Sequence, residues 1–137
     1  MKYYSISEAA ASLGIPESTI RYYEKKGLLP LLERDEAGRR LFSEDRLGFL
    51  KIIIYLKNTH MPISSIRQYV EWIAEGDSTI QLRLEMFQRH KQAVLGEIAL
   101  MTESLQGIDK KIARYTNYLK NAEERSREET NGEEVLQ

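Results

Sequence analysis

Ser18, Thr19, Arg21, Tyr22 and Lys26 fall within one short segment, and Arg39 and Arg40 follow directly on a glycine. Guanidinium forks and an ammonium group are suited to phosphate, and hydroxyls bond phosphate oxygens or base edges. This combination points to a nucleic-acid surface rather than to catalysis. His60 and His90, the two histidines, are far apart and have no ligand constellation around them. They read as surface or helix-capping residues. With no cysteine there is no disulfide, thiolate ligand or cysteine sensor. No enzyme chemistry, cofactor or metal site is expected.

Two short helices must present the first cluster. Ser5-Ile-Ser-Glu8 has the spacing of a capping box, which starts a helix running to about Leu13. Gly14 ends it, and Pro16 opens the next helix, where its missing N–H costs little. Ile20 and Tyr23, three apart, can face the core and leave Ser18, Thr19, Tyr22 and Lys26 on other faces. Helices joined by so short a turn fit a helix-turn-helix, whose second helix enters the major groove. Short helix pairs are also common in domains that bind no DNA, so spacing alone does not decide. After Gly27-Leu28-Leu29-Pro30, the stretch from Leu31 to Phe42 alternates imperfectly around Asp35-Glu36-Ala37-Gly38, a hairpin turn. An arginine pair at a hairpin tip is often only a solvated surface. Beside a groove-reading helix it can clamp phosphate.

Ser43, with Glu44 and Asp45 behind it, caps a helix striped by Leu47, Leu50, Ile53 or Ile54, and Lys57. The run Ile52 to Leu56 could be a strand by composition, but the caps and flanking periodicity favour helix. Pro62 opens another helix, with Ile63, Ile66, Val70 and Ile73 at helical spacing. Tyr69 and Trp72 lie beside that stripe. Core packing is the simplest reading of these aromatics; with Tyr55 and Phe87 they could instead wall a shallow site for a small apolar or aromatic effector. Glu75-Gly76-Asp77-Ser78 breaks the pattern, and Asp77 or Ser78 can cap the last helix. There Val94, Ile98, Met101, Leu105, Ile108, Ile112, Tyr115 and Leu119 alternate steps of four and three, the spacing of a coiled-coil seam, with Leu84 and Phe87 extending it upstream. Such a stripe on a helix roughly 60 Å long needs a partner helix. Gly96 and Gly107 weaken helix propensity but permit close backbone approach.

From Asn121 the chain is polar and Glu-rich, and residues 120–137 are expected to remain an unfolded acidic tail. The 137 residues suffice for one small domain, residues 1–75, and a dimerisation element, residues 78–119. Net charge is −1, and residues 1–60 hold ten Lys or Arg against eight Asp or Glu. DNA contact must therefore rest on where the cations lie. No signal peptide or membrane span is evident, so a cytoplasmic location is the default.

Ser5-Ile through Ala9, Gly14-Ile15, Thr19-Ile-Arg-Tyr-Tyr-Glu24, Gly27-Leu28-Leu29 and Gly38-Arg-Arg-Leu-Phe42 resemble the MerR family of bacterial transcription regulators. The likeness continues through Ser43-Glu-Asp-Arg-Leu47, Ile52, Leu56 and Met61-Pro-Ile-Ser-Ser-Ile66, to about Tyr118. It implies a mainly α fold: a winged helix-turn-helix head with two accessory helices, then a long helix pairing antiparallel with its dimer mate. It also implies a homodimer that binds an inverted repeat in double-stranded promoter DNA and distorts the spacer so that RNA polymerase can engage. Arg21 and Tyr22 would lie at the DNA and Arg40 on the wing. Arg39 and Phe42 depart from the aromatics usual in the wing, Phe42 losing a hydroxyl contact. Leu56-Lys-Asn-Thr59 through Met61-Pro-Ile63, with Arg89-His-Lys91, resembles most the branch containing aldehyde-responsive regulators. Tyr55 stands near the position of those regulators' reactive cysteine and cannot supply thiolate chemistry. Any effector would bind noncovalently, between the fourth helix and the dimer helix. The alternative is a nonenzymatic protein-binding or assembly module that uses the long helix.

Overall fold

The computed structural model describes residues 2–30 and 32–136, with side chains through Gly132. Leu31, expected in the approach to the hairpin, and Gln137, the end of the expected tail, lie outside the described residues. The order is α1 (Ile6–Leu13), α2 (Glu17–Lys25), β1 (Glu33–Arg34), β2 (Arg40–Leu41), α3 (Glu44–Asn58), α4 (Ile63–Glu75), a 3-10 turn (Asp77–Thr79) and α5 (Ile80–Leu136). The chain divides into two units, Met1–Lys91 and Gln92–Gln137.

In the first unit each expected helix start has a physical cause. The Ser5 hydroxyl accepts from the Glu8 amide at 3.1 Å, and the Ser5 amide donates to Glu8 Oε1 at 3.0 Å. Gly14 closes α1 at φ 67°, a left-handed conformation that costs a side chain dearly. Pro16 takes the cap position of α2, one residue earlier than expected, because its ψ of 151° is extended and the first helical residue is Glu17. The Ser43 hydroxyl accepts from the Arg46 amide at 3.2 Å. Residues Ile52 to Leu56 lie within α3, so the helical reading holds. Leu50, Ile53 and Leu56 from α3 meet Ala9 and Ala10 from α1, Ile20 and Tyr23 from α2, and Ile66 from α4 in one buried core. Met86 and Phe87 from the start of α5 pack against it.

Three local features correct the sequence reading. Phe42 is 1% exposed, so the residue that closes the hairpin belongs to the core rather than to a wing contact surface. Its backbone pairs with Tyr4 in both directions, at 2.8 and 2.9 Å, which pins the chain's start to the base of the hairpin. At the start of α5, the buried Thr79 hydroxyl, rather than Asp77 or Ser78, makes the side-chain bonds. It donates to the Trp72 carbonyl at 2.6 Å and accepts from Arg83 Nε at 3.0 Å. Finally, α5 continues past residue 120 to Leu136, where an unfolded tail was expected. Six Glu and two Arg, good helix formers, make up half of residues 121–136, so a helix already nucleated upstream propagates through them without tertiary packing.

In the second unit the described side chains are almost all exposed. Ile98, Met101, Leu105, Ile108, Ile112, Tyr115 and Leu119 are each 55–74% exposed, and Val94 is half-buried. Among the described residues, the apolar stripe read from the sequence stays open to solvent.

Candidate nucleic-acid interface

The orientation of α2 is set by the side it buries. Ile20 and Tyr23, 0% and 7% exposed, anchor it in the core. The opposite side presents Ser18, Arg21, Tyr22 and Lys26 to solvent, with Thr19 half-buried at the margin. Arg21 is held loosely, its guanidinium 3.7 Å from Glu17 on an exposed flank, an ion pair of little net strength in water. The Lys26 ammonium lies 5.8 Å from the Tyr22 ring centroid, so cation and aromatic face form one patch. The end of α2 is steadied from α4: Arg67 Nε donates to the Lys26 carbonyl at 2.7 Å.

The hairpin is an antiparallel pair in which Glu33 opposes Leu41 and Arg34 opposes Arg40. Its tip is organised by Asp35. One carboxylate oxygen accepts from the Ala37 and Arg39 amides at 3.0 and 2.9 Å, and the other from Arg39 Nε at 2.9 Å. The hydrogen bond from the Arg39 amide, assisted by the Arg39 guanidinium, holds the Asp35 carboxyl below its ordinary pKa despite some desolvation. Gly38 completes the turn at φ 79°. Arg39 projects from it, with a side chain 79% exposed.

Arg40 has a different environment. Its side chain is 23% exposed, and its Nε and Nη2 lie 3.0 and 2.9 Å from Glu24 Oε1 on α2. Arg34 reaches the same oxygen at 3.4 Å and donates from Nη1 to the Gly38 carbonyl at 2.9 Å. The sequence reading missed Glu24, Arg34 and Arg67. Their partners lie 10 to 41 positions away, beyond the reach of local spacing.

The residues considered for an effector site separate. Tyr69 and Phe87 meet with ring centroids 4.8 Å apart, and Phe49 stacks on Tyr69 at 6.0 Å with an interplanar angle of 3°. Burial pushes the Tyr69 phenol above its ordinary pKa. Trp72 is half-buried. Tyr55 is 51% exposed, outside that stack, with the Lys51 ammonium 6.0 Å from its ring. His90 Nε2 lies 2.7 Å from the Thr59 hydroxyl, tying the start of α5 to the end of α3. Among the described residues no group of three or more His, Cys, Asp or Glu is placed to hold a metal, and no helix is long and apolar enough to cross a membrane.

Comparison with known proteins gives this arrangement its context. Residues 4–71 match the family model described as MerR HTH family regulatory protein. An uncharacterised HTH-type transcriptional regulator of Haemophilus influenzae is 38% identical over 112 residues, 82% of this chain and 83% of that protein. Among solved structures, HiNmlR, a MerR family regulator lacking the sensor domain and bound to promoter DNA, has a TM-score of 0.79 at 36% identity. The match covers 85% of this chain and 92% of that one. A putative MerR family regulator from Listeria monocytogenes has a TM-score of 0.83 at 30% identity, covering 91% and 95%. The short helix pair, small hairpin and long terminal helix are thus the architecture of a known class, and the chain belongs to the MerR family of helix-turn-helix, DNA-binding transcription regulators.

Proposed function

We propose that the chain acts as a homodimer on an inverted repeat in promoter DNA, with two heads reading the two half-sites. The observation that carries this reading is the pairing of an exposed hydroxyl and cationic face on α2 with an apolar stripe on α5 that one chain leaves uncovered. Residues 1–75 serve as the reading head and residues 78–119 as the dimerisation helix. Two copies pair antiparallel along Val94, Ile98, Met101, Leu105, Ile108, Ile112, Tyr115 and Leu119. Ser18 and Thr19, at the start of α2, face base edges. Arg21, Tyr22 and Lys26 meet the backbone or neighbouring bases, and Arg39 and Arg40 place the wing on the flanking strand. A solved relative with promoter DNA bound supports the same docking.

Two heads held by one helix pair must move together, so the complex bends and untwists the promoter spacer and changes how RNA polymerase engages it. Added contacts offset the cost of that distortion. Tyr69 and Phe87 are read as packing that couples α4 to the start of α5, and a small-molecule signal, if one is used, acts without a thiol because the chain has no cysteine.

Selection from random duplex DNA tests the proposal. The wild-type chain is expected to recover an inverted repeat, and Arg21→Ala to lower the salt dependence of binding by about one phosphate contact. Absence of any selected sequence, together with a stable complex with a different protein through the long helix, would instead indicate an assembly module.

A further inference from the structure

The hairpin strands bury none of their own residues: Glu33 and Arg34 are exposed, and Arg40 and Leu41 only half-buried. Between hairpin and helix lies an open cleft of about 260 Å³, lined by Glu24, Leu29, Pro30, Leu32 and Arg34. Apolar packing at its base, through Leu32 and Phe42, therefore fixes the root of the hairpin but not the angle at which it leans towards α2. Across the cleft, a single carboxylate oxygen of Glu24 receives Arg40 through two nitrogens and Arg34 through one. Arg34 in turn holds the carbonyl of Gly38 in the turn. The chain of contacts runs without interruption from the reading helix to the hairpin tip.

We propose that Glu24 is a positioning residue of the DNA interface: its carboxylate, holding Arg40 and Arg34, sets the spacing between the base-reading face of α2 and the phosphate-contacting tip at Arg39. This rests on the DNA-binding reading above and assigns a function to a residue whose charge is opposite to that expected at a polyanion. The two arginines also repel one another as direct cross-strand neighbours, and Glu24 relieves that repulsion. In this arrangement Glu24 orients Arg40, and the more exposed Arg39 stands beside it at the hairpin tip facing the flanking strand.

The sign of the effect distinguishes this role from the simpler one. A carboxylate that merely lies near DNA repels phosphate, so removing it should tighten binding and steepen the salt dependence. A positioning carboxylate gives the reverse. Full-length Glu24→Gln, with its thermal unfolding checked, is expected to bind the selected operator about tenfold more weakly than wild type, with the salt slope unchanged. Arg40→Lys keeps the charge and loses the fork, and is expected to weaken binding similarly, again at constant slope. The double variant should be no weaker than either single one, whereas losses from Arg39→Ala should add to both. Binding by Glu24→Gln equal to or tighter than wild type, or additive losses in the double variant, overturns the proposal. Should Glu24→Gln not fold, wild-type affinity for Arg40→Lys overturns it alone. Absence of selective binding by the wild-type chain overturns the DNA-binding reading as well.

Discussion

Apolar side chains are handled in opposite ways in the two units of the molecule. Through Lys91, four helices and the start of a fifth place Ile20, Leu28, Phe42, Leu50, Ile53 and Ile66 at no more than 1% exposure. Beyond Gln92 the backbone is as fully hydrogen-bonded, yet residues of the same kind lie open to water. Helix formation satisfies peptide groups but buries little apolar surface, and long helices in water owe most of their stability to packing. The first unit completes its own tertiary structure, whereas the described residues of the second complete only a helix, with the open stripe that the proposed dimer would cover.

Truncating the centre of that stripe should produce the largest effect. Each large-to-small change in a packed site costs about 2–5 kcal/mol, and in a dimer each is felt twice. Leu105→Ala with Ile108→Ala is therefore expected to raise the dimer dissociation constant at least about a thousandfold by sedimentation equilibrium. An unchanged mass distribution would mean that the stripe is not the seam. In the head, Ile53→Ala should cost about 2–5 kcal/mol as well, but within one chain. Its unfolding midpoint should fall by the same amount at every protein concentration, while that of the stripe variant should become concentration-dependent. Similar concentration dependence in both would erase the distinction between the units.

The sequence displayed both units unequally. Capping residues were readable because their interactions are local: Ser5 with Glu8, Ser43 with Arg46 and Gly14 at the end of α1 span only a few residues. The stripe was readable because its repeat is one-dimensional. Contacts that close the interface were not, since Glu24 with Arg40, Arg67 with Lys26 and Tyr4 with Phe42 join residues 16 to 41 positions apart. The burial of Phe42 was hidden for the same reason: alternation places it in the hairpin, whereas it lies in the core and its backbone pairs with Tyr4. The eight stripe positions on α5 can be recovered from periodicity, but which cations of the head are already engaged by carboxylates cannot.

Smaller effects sharpen the comparison at single caps. Ser5→Ala removes the acceptor for the Glu8 amide and should lower head stability by about 1 kcal/mol in urea unfolding, without altering dimer mass. No change in midpoint would show that water substitutes fully for the cap. The least effect is expected from pH at the hairpin tip. Because the folded Asp35 pKa is depressed, its contribution is present above the unfolded value and is lost as pH falls through the folded one. As pH falls below the ordinary carboxyl range, the protection of the Ala37 and Arg39 amides relative to their intrinsic exchange rates should therefore decrease, in a titration absent from Asp35→Asn. Protection that stays constant through full protonation of Asp35 would contradict it.

Hydroxyl-radical footprinting of the wild-type complex on its selected operator tests most directly whether a self-sufficient head depends on a partner helix to read DNA. Two half-sites related by a dyad should be protected, about one or two helical turns apart, and both should disappear together in the Leu105→Ala, Ile108→Ala variant at the same concentration. Protection of a single half-site by the wild-type chain, or an unaltered footprint from the variant, would contradict the account.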